Sequence, residues 1–283
     1  MLRMLLLAFI LFVLSCATAI AAAPEDSLSE ISLTPIKNSA FFPGEKLTFG
    51  VSYQFIRVGS AIMEIMDTTT IRNRPAIHIQ TRARSASFFD SFYRVRDEVN
   101  SYMDREYYNS LKFEKKLREG DYYFDLILDY DYPKRKIFGQ SIRYEDDDET
   151  KIRKDGVKTF EVDITQSLLD VLASFYYIRL KKLEPGIPVT ITSNDNEKIY
   201  SLKVFIQRKE ILKTDVGKFN TLVVVPKLQG DSVFKQEGAM WIWLTDDQYK
   251  IPLKVESALS FGSIYIEIEK IEGHKLPLPA QIR

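Results

Sequence analysis

Apolar and polar side chains alternate along most of this chain. Leu47, Phe49, Val51, Tyr53 and Phe55 fall on one side of a run whose other side is Thr48, Gly50, Ser52 and Gln54. That period of two marks a strand with one buried face. The pattern returns where Phe124, Leu126, Leu128, Tyr130 and Tyr132 oppose Asp125, Ile127, Asp129 and Asp131, and again at Tyr200, Leu202, Val204 and Ile206. Residues 222–225 are apolar throughout and stop at Pro226, as a strand covered on both faces does. Turn-forming residues separate the runs at Pro43-Gly44, Pro133-Lys134, Asp155-Gly156, Pro185-Gly186 and Asn194-Asp195-Asn196.

One stretch departs from this rule. Residues 165–182 hold neither Gly nor Pro and set Leu168, Leu172, Phe175, Tyr176 and Arg179 at helical spacing. Thr165 stands where an N-cap belongs, Lys181 and Lys182 suit the last turn, and Pro185-Gly186 stops the helix. Its apolar stripe needs a partner, and the concave face of a bent sheet supplies one. The pattern therefore predicts a mainly β fold: a strongly curved antiparallel sheet or open β-barrel of about a dozen strands with one main helix packed against it. The expected organisation is a secretory leader over 1–21, a linker over 22–40, a curved β domain over 41–272 with the helix between two strand-rich halves, and a tail over 273–283. The halves echo each other, FPGEKLTF at 42–49 with EPGIPVTI at 184–191 and VGSAIMEI at 58–65 with FGSIYIEI at 261–268. Internal duplication and common strand-and-turn chemistry both account for these echoes.

The leader is expected from Arg3, the apolar run from Met4 to Leu14 and the small residues after it. Cys16, the only cysteine, lies within it in the order Val13-Leu14-Ser15-Cys16. That order resembles the box at which bacterial lipoproteins are cut and acylated. The competing reading is ordinary cleavage near Ala19-Ile20-Ala21, which removes Cys16 and exports a soluble protein to the periplasm. Lipidation at Cys16 would instead anchor it to the outer membrane. Either way no thiol remains for a disulfide, a thiolate metal site or a cysteine nucleophile.

Charge narrows the partners. The chain carries 39 basic and 39 acidic side chains, without the basic excess that binding to a phosphate backbone relies on. Nucleic acid is not an expected partner. Three clusters invite chemistry and read as structure. Asp246-Asp247 interrupts two alternating runs in MWIWLTDDQYKIPLKV, residues 240–255, where short carboxylates organise a turn. Glu145 to Glu149 is a run of five carboxylates without the Gly and terminal Glu of a calcium loop, and reads as a solvated loop. His78 lies in a predicted strand and His274 in a Pro-rich tail, too far apart in sequence to suggest a metal site. Ser85, Ser87 and Ser91 near Asp90 read as loop residues with no base beside them. No nucleophile elbow, phosphate loop or dinucleotide fingerprint is present, so neither a catalytic set nor a cofactor is expected.

Aromatic supply is the remaining feature, with 18 Phe, 15 Tyr and 2 Trp. These rings either fill a packed β core or wall an apolar cavity between sheet and helix. For the second case the candidate wall residues are Phe49, Tyr53, Leu126, Leu128, Phe175 and Tyr176.

Several blocks resemble a family of exported bacterial proteins known as a domain of unknown function, family number 3108. They are Phe42-Pro43-Gly44-Glu45-Lys46-Leu47-Thr48-Phe49, Ala83-Arg84-Ser85, Asp97, Ser174-Phe175-Tyr176-Tyr177-Ile178-Arg179, Arg208-Lys209-Glu210 with Gly217-Lys218-Phe219, and Trp243-Leu244-Thr245-Asp246-Asp247 followed by Ile251-Pro252. The resemblance implies an envelope address and no particular chemistry. The closing order, Trp243, acidic turn, Ile251-Pro252-Leu253, then Gly262 and a last alternating strand, is similar to periplasmic lipoprotein-carrier proteins. That likeness implies a curved sheet whose apolar concavity is plugged by helices. The functional expectation is a non-enzymatic periplasmic binding protein for a lipid, acyl chain or lipoprotein. The alternative is an envelope scaffold that engages another envelope protein and holds no small molecule.

Overall fold

The structure, a computed structural model, describes residues 33–146, 149–228, 240–259 and 262–282. The leader, Cys16 and Asp147-Asp148 lie outside these residues. The first half of the chain forms β1 (Lys46–Tyr53), β2 (Ile56–Ile65), β3 (Thr69–Ile71), β4 (Arg74–Ser85), α1 (Ser87–Tyr93), β5 (Arg96–Asp104), β6 (Ser110–Glu119), β7 (Tyr122–Asp131), β8 (Lys136–Tyr144) and β9 (Ile152–Asp163). After α2 (Val171–Arg179) come β10 (Val189–Asp195), β11 (Lys198–Thr214), β12 (Gly217–Leu228), β13 (Met240–Thr245), β14 (Pro252–Ala258), β15 (Ser263–Glu272) and β16 (Gln281–Ile282).

All the main strands join one antiparallel sheet in the order β10-β11-β12-β13-β14-β15-β1-β2-β4-β5-β6-β7-β8-β9, with β3 on β4 and β16 on β12. Each half is a chain of hairpins, and the β1–β15 ladder from Lys46↔Glu272 to Tyr53↔Ile264 welds them together. Register shifts in both ladders of β1, at Thr48/Phe49 toward β15 and at Val51/Ser52 toward β2, are the bulges by which a strand bends and its sheet coils. β9 and β10 are left as edges, so the sheet is strongly curved but not closed into a barrel. The curved antiparallel architecture read from the sequence is the one observed, with sixteen strands among the described residues where about a dozen were expected. The edge strand β9 is exposed along most of its length and carries Arg153, Lys154, Asp155, Lys158, Glu161 and Asp163, a charge density that discourages edge-to-edge pairing.

The helix is shorter than its pattern. It begins after Asp170, whose side chain accepts the Ala173 N–H at 2.8 Å, so Thr165 is not its cap. Leu168 and Leu169 are buried in extended backbone, and Leu169 bridges Ser193 of β10. Helical spacing in 165–170 thus arises from residues that are buried for another reason. The Asp170 carboxylate also accepts the Ser101 hydroxyl of β5 at 2.7 Å and the Ser110 hydroxyl of β6 at 2.6 Å, which pins the start of α2 inside the curve of the sheet. A second helix, α1, occupies the Ser-rich stretch read as loop. The segment after 272 is part of the fold, because Leu278 and Ala280 are buried and β16 pairs with β12. Of the two sequence echoes, VGSAIMEI and FGSIYIEI are largely β2 and β15, the two neighbours of β1. A duplication would place the second block in β11, beside β10, so strand chemistry explains that echo.

Candidate functional site

Between α2 and the strands that face it lies a cavity of about 120 Å³. Its floor is Val171, Leu172, Phe175 and Ile178 of α2, and its walls are aliphatic residues of β10 to β13, with Thr81 of β4 and Val99 of β5 opposite. The alternation in these strands explains the lining: Leu202 and Val204 on β11, and Met240, Ile242 and Leu244 on β13, point to one face. A dry apolar hole of about 150 Å³ admits a benzene-sized guest, whereas a drug-sized ligand occupies roughly 300–1,000 Å³. The size therefore suits the end of a chain, not a whole lipid. Polarity is confined to one side. The Thr81 hydroxyl is buried with no hydrogen-bond partner among the described residues. Ser174 and Ser193, whose hydroxyls lie 2.9 Å apart, and Tyr200, whose phenol burial pushes up, complete that side.

Of the six wall residues expected from the sequence, Phe175 lines this cavity. Phe49, Leu126 and Leu128 are buried in the packed core, and Tyr53 packs against it half-buried. Tyr176 turns away from the cavity into a second buried site, edge-on to Phe41 at 5.1 Å. Alternation tells which face a residue takes but not where along the curve the helix leaves a gap. The residues that do form the wall were therefore not separable from the rest of the core.

The second site is an ion pair sealed inside the protein. The Arg179 guanidinium grips Glu45 with two hydrogen bonds of 2.6 Å, and neither side chain is exposed to solvent. Arg179 also donates to Ala40 O at 3.2 Å and Tyr249 O at 3.0 Å, and its guanidinium lies 5.3 Å from the Phe41 ring and 5.0 Å from the Tyr176 ring. His274 reaches the other side of Glu45 at 2.6 Å, drawn in where Gly273 passes so near Gly44 that an added Cβ would meet its carbonyl oxygen at 2.4 Å. Burial opposes the Glu45 charge, but the guanidinium beside it holds the carboxyl below its ordinary value. Asp247 completes the assembly from the β13–β14 turn. It accepts from the Thr245 hydroxyl at 2.8 Å, from Tyr249 N at 3.0 Å and from Ala280 N at 3.1 Å. The Asp246-Asp247 pair is thus a turn that clamps the C-terminal segment, and Asp246 pairs with Lys209 at 2.9 Å.

A third polar set lines the inner face of β5 and β6. Burial pushes the Asp97 carboxyl up to about 6, against the Arg118 N–H it accepts at 2.9 Å and the influence of Glu119, Arg118 and Lys115. Lys115, itself buried, reaches Asp195 on the far edge strand β10 at 3.2 Å. This bond crosses the interior and ties β6 to β10. His78 is satisfied locally by Asn100 at 2.8 Å and stacks on Tyr102. Among the described residues, no group of three or more His, Cys, Asp or Glu is placed to hold a metal ion, and no helix is long and apolar enough to cross a membrane.

The sequence blocks that carry the resemblance noted above converge on these features. Glu45, Arg179 and the Asp247 turn build the buried ion pair, Phe175 the cavity floor, and Asp97 the inner polar set. No curated protein matches the sequence. Among solved structures, the chain is similar to a β-barrel-like protein of a domain of unknown function (DUF1849) from Brucella abortus, with a TM-score of 0.53 at 8% identity, over 86% of this chain and 100% of that one. That likeness is one of fold. It also matches a protein described as exported, with a YmcC-like fold, from Bacteroides fragilis, with a TM-score of 0.33 at 10% identity, over 84% of this chain and 98% of that one. A model of one family spans residues 48–269, and the chain belongs to that family, described as "Protein of unknown function (DUF3108)".

Proposed function

We propose that this protein is an exported, non-enzymatic binding protein of the bacterial envelope that holds an apolar moiety, the end of an acyl chain or of a lipid-modified segment, in the cavity above α2. The observation that carries the reading is the mainly apolar cavity of about 120 Å³ between α2 and the strands that face it. Native interiors close-pack, and each unfilled volume costs stability, so a gap of this size beside a helix is worth a functional explanation. The buried Thr81 hydroxyl, without a partner among the described residues, offers one hydrogen bond to a polar group at the end of such a ligand. The address rests on the leader pattern of Arg3 and the apolar run after it.

The test is a titration of the mature protein with a fluorescent fatty acid. Saturable binding is expected, and it should be lost in Val204→Phe, whose ring would occupy the space left for the ligand. A second reading has its own support. The cavity is smaller than ordinary ligand pockets, and five of the six expected wall residues lie outside its lining, so an envelope scaffold with no small-molecule ligand accounts for a filled core. Absence of saturable binding at any probe concentration selects the scaffold.

A further inference from the structure

The cavity lining is polar without being charged. Among the described residues that line it there is no Lys, Arg, His, Asp or Glu, yet Thr81, Ser174, Ser193 and Tyr200 each bring a hydroxyl group. Thr81 is 2% exposed, and its hydroxyl has no hydrogen-bond partner among the described residues. Alternation along β4 puts it there: Ile77, Ile79 and Thr81 are buried in turn on the inner face, and the third of them carries an oxygen where the pattern calls for an apolar group. A buried hydroxyl left unmatched loses the water it gave up on folding, and native structures leave few of them.

The four oxygens are not equivalent. Ser174 donates to Asp170 O and Ser193 to Leu169 O, each at 2.8 Å, and the two hydroxyls lie 2.9 Å apart. Their protons are committed to the backbone before α2, so what they leave for a guest is lone pairs. The Tyr200 oxygen is buried without a hydrogen bond of full geometry among the described residues. Burial, with the charges of Asp195 and Asp170, pushes its phenol up against the pull of Ser193, and it stays a donor. Thr81 both gives and accepts. The wall therefore offers donors and acceptors together, and a hydroxyl is the small group that answers both.

We infer that the cavity selects an aliphatic alcohol, a chain whose buried end is an uncharged hydroxyl, over a chain that would bury a free carboxylate. The inference rests on the reading of the cavity as a binding site and specifies what that site takes. The surrounding charges decide against an anion. Val99 of the wall pairs across the sheet with Lys115, a buried cation, but its ammonium is engaged with Asp195 at 3.2 Å. Arg179 is engaged with Glu45 at the second buried site. Asp170 at the head of α2 is buried and held by Ser101, Ser110 and the Ala173 N–H, and Asp97 and Glu119 are buried further along β5 and β6. Both of these buried cations already have a carboxylate, so a guest carboxylate would enter a low-dielectric site without a counter-ion. A fatty acid that inserts its methyl end keeps its carboxylate in water, but it leaves Thr81 unmatched. By comparison with the benzene-sized guest of a slightly larger hole, a volume of about 120 Å³ holds about six heavy atoms, enough for a hydroxyl and the first few carbons behind it.

The test is displacement of a bound fluorescent fatty acid from the mature protein by octan-1-ol and by octanoate at pH 8, with direct calorimetric titration of both compounds alongside. Octan-1-ol is expected to displace the probe at a concentration at least tenfold below that of octanoate. Thr81→Val, which exchanges the hydroxyl for a methyl of equal size, should cut that advantage at least fivefold, and Thr81→Ser should retain it. The Thr81→Val protein should unfold at or above the midpoint of the parent, which separates a lost advantage from a lost fold. Val204→Phe should abolish binding of the alcohol. Octanoate that binds as well as octan-1-ol, or an advantage that survives Thr81→Val, overturns the inference and leaves the cavity reading in place. Alcohol binding that survives Val204→Phe overturns it by placing the alcohol elsewhere. Absence of saturable binding by the probe and by octan-1-ol alike overturns both the inference and the reading beneath it.

Discussion

Replacing Arg179 by Met removes one half of an ion pair that has no access to water. The Glu45 carboxylate then keeps the His274 ring at 2.6 Å, and Ala40 O and Tyr249 O each lose a donor. Stranding one member of a buried pair costs about 3–5 kcal/mol, and each lost carbonyl bond about 1 kcal/mol more. The expected loss is about 5–7 kcal/mol, a large part of the roughly 5–15 kcal/mol that stabilises a typical domain. Glu45→Met with Arg179→Met removes both charges and leaves mainly the carbonyl penalty, about 1–3 kcal/mol. The double variant should therefore be more stable than Arg179→Met alone by about 4 kcal/mol, although it carries one more substitution. Urea unfolding followed by tryptophan fluorescence reads this out. Trp243 is buried two residues before Thr245, in the turn that leads to Tyr249. A loss below about 1 kcal/mol for the single variant, or a double variant no better than the sum of its parts, would refute the claim that this pair locks the N-terminal segment, α2 and the C-terminal segment together.

Four further outcomes follow from the buried polar groups. Asp97 is raised to about 6 by burial, so the folded state holds its proton more tightly than the unfolded one. Its contribution is fully present below 3.8 and is lost as pH rises through about 6, by about 3 kcal/mol at most, and Asp97→Asn should flatten the stability profile over that window. Glu45 has the opposite sign: its contribution is present above 4.5 and lost as pH falls through its lowered value, and Asp97→Asn should leave that acid limb in place. Asp170→Ala removes the cap of α2 and two buried serine hydroxyl bonds, at an expected cost of about 2–4 kcal/mol in the same urea assay. Thr81→Val replaces a buried hydroxyl without a partner by a methyl of equal size, and calorimetry should show the apo protein stabilised by about 1 kcal/mol or more.

The curved antiparallel sheet was legible because its strands alternate and its turns use Pro, Gly, Asn and Asp. Strand order was not, since the ladder that joins the halves pairs residues 46–53 with 264–272, and nothing local encodes that partner. α1 was missed because none of its residues is buried, so Phe88, Phe89 and Phe92 at helical spacing in a Ser-rich stretch marked no core. Glu45, Arg179 and His274 each look like ordinary surface charges in sequence. Their link shows only in three dimensions, although the family-like blocks around Pro43-Gly44-Glu45 and Tyr177-Ile178-Arg179 were a signal available beforehand. The cavity was partly legible, through Phe175. Its remaining walls depend on where α2 lies across β10 to β13, and that position is fixed by Asp170 bonding to serines some sixty residues away.

The most direct measurement of the central claim is native mass spectrometry of the mature protein purified from its own envelope without detergent, followed by lipid extraction and identification. The account predicts a co-purifying apolar molecule in stoichiometric amount, retained by the parent and absent from Val204→Phe. A folded parent that carries no adduct and yields no lipid on extraction would contradict it.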